Sequence, residues 1–105
     1  MKSKKDKNYK LQKLGAIKDA APFALAIAMG ADVNEKTGGT PIVESLFAKL
    51  LNCADITREA NQITLKKTEM LIDAGADTSS IVYNYYDRII YDVSTHLRLL
   101  VLLLK

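Results

Sequence analysis

The tripeptide Gly-Ala-Asp occurs twice, at Gly30-Ala31-Asp32 and at Gly75-Ala76-Asp77, and each copy closes an apolar, helix-like run. A glycine there supplies the left-handed backbone geometry with which helices commonly end, and which a side chain resists. The first copy opens the stretch Gly30-Ala31-Asp32-Val33-Asn34-Glu35-Lys36-Thr37-Gly38-Gly39-Thr40-Pro41-Ile42, whose far half reads as a helix start. Thr40 is placed to accept from an N-terminal backbone N–H, and Pro41 fits the first helical turn. A helix stop, a turn and a helix start thus share thirteen residues, and the next stop falls 45 residues after the first. A helical unit recurring at a period of roughly 20–50 residues points to a solenoid.

With 105 residues, the chain makes one compact domain or a small part of a larger array. Its net charge of +3 is unevenly held. Residues 1–10 carry five lysines and one aspartate, whereas residues 11–105 carry ten basic and eleven acidic groups. The basic character is therefore a flexible tail on a near-neutral domain. Such a tail can touch nucleic acid or an anionic membrane surface, or simply fray into solvent. No alternation of aromatic and basic residues continues into the domain, which argues against nucleic acid. The tail precedes no apolar segment of the kind a secretory signal needs. The longest apolar run, 97–104, is far too short to span a membrane. One cysteine, Cys53, and one histidine, His96, build neither an internal disulfide nor a zinc site, so a reducing, cytoplasmic setting is expected.

The periodicity predicts helices at about 22–29, 41–53, 63–74 and 95–105, preceded by a short stripe of Leu11, Leu14 and Ile17. In the first, Phe23, Leu25 and Ile27 are the bulky contacts. In the third, Leu65, Leu71 and Ile72 face inward, with Lys66, Lys67, Glu69 and Asp73 outward. The segment 54–62 reads as polar and turn-capable. The segment 78–86 reads as a connector or an extended strand, after which Asp87 caps a helix through Val93. Ser94 and Thr95 break that helix, and Thr95 caps the last one.

The strings Gly30-Ala31-Asp32-Val33-Asn34 and Gly38-x-Thr40-Pro41-Ile42 resemble the ankyrin repeat, in which the first ends one unit and the second opens the next. Gly75-Ala76-Asp77 is similar to a second unit's end, and 95–105 to the second helix of a third. The resemblance implies an all-α, ankyrin-like solenoid of about three antiparallel helix pairs joined by hairpin-like turns. Its units would be 11–34, 35–77 with an insertion at about 49–62, and 78–105. The chain departs from the pattern at Val43, where the family carries histidine, and at Ser45, where it carries alanine. Tyr85 lies where a glycine is expected, and Asp87-Arg88-Ile89 replaces the Thr-Pro-Leu opening.

No catalytic constellation is visible, and no cofactor or metal is expected. Cys53 and His96 lack a third orienting group or an oxyanion feature, so packing and surface roles suit them better. Gly38-Gly39-Thr40 follows no strand and lacks the lysine of a phosphate loop. The expected function is a non-enzymatic scaffold that binds another protein.

In the family, partners use hairpin tips and first-helix surfaces, which selects Lys36, Thr37 and Gly39 in the turn and Phe47 and Ala48 on the helix. Phe47 reads either as an exposed anchor or as a side chain covered by the inserted loop. Tyr83, Tyr85, Tyr86 and Tyr91 place four of seven aromatics within nine residues, as a recognition tip or a local mini-core. The alternative function is a small helical binder of nucleic acid or anionic membrane working through the tail.

The segment 96–105 is apolar nearly all round, whereas a terminal solenoid unit needs a polar outer face. Either further repeats follow it, or it self-associates with another chain. The family is common in eukaryotic regulators and in proteins that intracellular bacteria and viruses direct at hosts, so a host cytoplasm is a second expected location.

Overall fold

The structure, a computed structural model, describes residues 11–104. The lysine-tail expectation falls on residues outside that span. A helical stretch at 11–14 is followed by α1 (Ala21–Ala28), β1 (Lys36–Thr37), β2 (Thr40–Pro41), α2 (Ile42–Asn52), α3 (Glu59–Asp73), α4 (Ser79–Tyr91) and α5 (Val93–Leu103). The molecule is mostly helical, as expected, with one small antiparallel ladder added. Helix α2 packs on α3 and α4 packs on α5. Helix α3 also meets α1 and α5, and α2 meets both α4 and α5.

Both glycine stops form, and by the same bonds. Gly30 and Gly75 adopt φ of +94° and +95°. Gly30 N–H donates to the Ile27 carbonyl and Ala31 N–H to that of Ala26; Gly75 and Ala76 do the same with Ile72 and Leu71. This paired closure satisfies carbonyls that a helix end leaves open. The aspartates that follow start the next segments. Asp32 Oδ1 accepts from Asn34 N–H and Asp77 Oδ1 from Ser79 N–H, at 2.8 and 2.9 Å. The Ser79 bonds hold the Asp77 carboxyl below the usual carboxylate range. Asn34 Oδ1 also accepts from Asp77 N–H at 2.8 Å, linking the two closures across 43 residues.

The turn between them is a two-residue hairpin. Lys36 pairs with Pro41 and Thr37 with Thr40, leaving Gly38 and Gly39 at φ of +58° and +85°. Two consecutive positive φ values are what a type I′ loop requires, and glycine supplies both without strain. Thr40 therefore lies in the ladder and does not cap a helix. Pro41, extended at φ −61° and ψ 146°, is itself the residue before α2, and no side chain caps that end.

The largest correction is on α3. The helix starts at Glu59, four residues before the expected position, because Asn61 and Gln62 side chains reach back to the Asp55 and Ile56 carbonyls. The expected insertion at 49–62 is therefore mostly the end of α2 and the start of α3. Lys67, expected outward, is 1% exposed. Its Nζ donates to the carbonyls of Leu14 at 2.9 Å, Gly15 at 3.3 Å and Ile17, and stands 5.7 Å from the Phe23 ring centre. Burial lowers its pKa from the ordinary lysine value; Lys49 adds to that and Asp19 opposes it. Thr68, fully buried beside it, donates to the Thr64 carbonyl.

The opposite end of the 11–14 stretch meets a carboxylate. Glu35 is 8% exposed, accepts from Gln12 N–H, and has a buried Oε1 with no hydrogen-bond partner among the described residues. Thr37 Oγ1 donates to Gln12 Oε1 beside it. Desolvation raises the Glu35 pKa, the Gln12 bond counters it, and Asp32 adds repulsion.

The core runs from Leu11 and Phe23 through Ile42, Val43, Leu46 and Phe47 to Ile81, Ile89, Leu99 and Leu102. Leu25, expected to pack, is 61% exposed instead, because α1 turns only its Phe23 side fully inward.

Two outcomes test the grip on residues 11–17. Replacing Lys67→Ala strands the three carbonyls and should cost roughly 2–4 kcal/mol in chemical denaturation. Because the Glu35 pKa is raised in the folded state, folding binds extra proton just above the ordinary value of 4.5. Stability from this group is then lost as pH rises through the folded value. Glu35→Gln should raise the melting temperature at neutral pH and flatten that slope; a lower melting temperature there would contradict the assignment.

Candidate protein-binding surface

The expected site residues divide sharply. Lys36 and Thr37 are exposed on the hairpin strand, with Thr37 tied back to Gln12. Ala48 is half-buried on α2. Phe47 is fully buried, which removes it as a surface anchor. Its ring lies 6.5 Å from that of Tyr85 at an interplanar angle of 42°. Helix α4 supplies cover there through Tyr85, because residues 79–91 continue as helix where a connector was expected.

Making 78–86 helical reorganises the tyrosines. A helix repeats its faces every three to four residues, so Ile81, Tyr85 and Ile89 form one stripe and Val82, Tyr86 and Ile90 the next. Ile81 and Ile89 are buried and Tyr85 is half-buried against the core. Val82, Tyr86 and Ile90 are exposed, and Tyr83 beside them is 89% exposed. Asn84 donates to Glu44 Oε2 at 3.4 Å and Arg88 to Asn52 Oδ1 at 2.9 Å, which ties the other flank of α4 to α2. The helical wheel puts 82, 86 and 90 opposite that flank. Tyr83 and Tyr86 thus remain surface groups and Tyr85 does not. Val82 and Ile90 join this surface without being expected there: Ile90 falls in the expected helix from Asp87, but its four-residue spacing from Tyr86 and Val82 has meaning only once 78–86 is helical too.

The last two helices part at Asp92, and a kink with φ of −104° and ψ of 15° follows at His96, next to the break expected at Ser94 and Thr95. The Asp92 carboxylate accepts from Thr95 N–H, Thr95 Oγ1 and Ser94 Oγ. These bonds, those of Thr95 first, hold its pKa below the carboxylate range. Helix α5 turns Leu99 and Leu102 into the core and leaves Leu97, Val101 and Leu104 exposed along its outer side.

Cys53 and His96, separated by 43 residues, line one cavity of about 260 Å³ with Asp55, Thr95 and Leu99. Cys53 Sγ donates to the Leu50 carbonyl at 3.0 Å. Asp55 is engaged by Thr57 through both its N–H and its hydroxyl. His96 Nδ1 is buried without a partner among the described residues, at a kink where its own φ and ψ leave helical values. No hydrogen bond joins the three groups, and among the described residues no three His, Cys, Asp or Glu side chains converge to hold a metal ion. No helix of the described residues is long and apolar enough to cross a membrane.

Comparison with protein-family models, with curated proteins and with solved structures finds no match.

The division of aromatics predicts two opposite responses. Phe47→Ala should lower stability by roughly 3–5 kcal/mol, as loss of a buried aromatic does. Tyr83→Ala should change it by less than about 0.5 kcal/mol. Urea melts of the two variants read both.

Proposed function

We propose that this chain is a small, divergent ankyrin-like stack of helix pairs and a non-enzymatic module that binds another protein. Two features support the stack. Helix α3 contacts both α1 and α5, and α2 contacts α4, as neighbours in two stacked rows would. The closures at Gly30 and Gly75 repeat the same bonds and are joined through Asn34. Where the family places a second hairpin, Asp77 starts α4 directly, so only the tip at Lys36 and Thr37 projects.

The observation that carries the binding reading is the exposed Val82, Tyr83, Tyr86 and Ile90 surface on α4. Contiguous apolar area with tyrosine hydroxyls at its edge is the composition of interface centres. The binding surface comprises this stripe together with the hairpin tip, and the setting is the cytoplasm. The lysine tail is the rival means of binding, through phosphate contacts.

A tagged full-length chain used as bait should capture the same protein with or without residues 1–10, and lose it on Tyr83→Asp with Tyr86→Asp at unchanged circular dichroism. Capture that needs residues 1–10 and falls steeply with salt would instead support the rival.

A further inference from the structure

We draw no further inference here: the strongest candidate, the cavity between the end of α2 and the kink of α5 that Cys53, Asp55 and His96 line, holds a lone cysteine already donating to the Leu50 carbonyl, a carboxylate already engaged by Thr57 and a histidine only half-buried, and no second observation points to a ligand.

Discussion

The short helical stretch at 11–14 is held at its two ends by charges of opposite sign, and both come from distant parts of the chain. Lys67 gathers the carbonyls of Leu14, Gly15 and Ile17, and Glu35 receives the amide of Gln12. These are the signs that the partial charges of helix ends favour. A stretch this short has little helical stability of its own. Its Leu11 nevertheless joins the core at zero exposure, so the N-terminal end of the core depends on the grip. The ammonium is tolerated in the interior because three carbonyls and the Phe23 face replace its water.

The same economy of local bonds runs through the junctions. Three aspartates, Asp55, Asp77 and Asp92, each accept from backbone N–H groups two or three residues ahead, and each precedes a helix. Their carboxyls are held below the usual range, by the Thr57 and Thr95 hydroxyls first at Asp55 and Asp92 and by the Ser79 N–H first at Asp77. Such turns set the direction of the chain cheaply, while the core residues between them supply the cohesion.

Much of the local architecture was legible. The stops at Gly30 and Gly75 and the hairpin at Gly38-Gly39 follow from backbone geometry that glycine alone adopts freely. The helical start near Ile42 was legible too, though the capping role given to Thr40 was not correct, because hairpin pairing claimed that residue first. The site was read less well. The resemblance placed Phe47 outward, yet Tyr85 and α4 cover it. The expected connector at 78–86 contained no helix breaker, and its β-branched and aromatic residues pointed to a strand only while their packing partners were unknown.

What the sequence by itself determined, then, is where the chain must turn: positive φ at glycine and short-range aspartate bonds are local properties. What only the tertiary structure decided is which side of each helix is inside. On α4 the stripes Ile81–Tyr85–Ile89 and Val82–Tyr86–Ile90 are chemically almost the same, so hydrophobicity does not choose between them. The choice is made by Phe47 and by the polar ties from Glu44 and Asn52, which come from another helix. Lys67 makes the point in reverse. A lysine on an amphipathic helix is ordinarily solvated, and only the carbonyls of residues fifty positions away make its burial favourable.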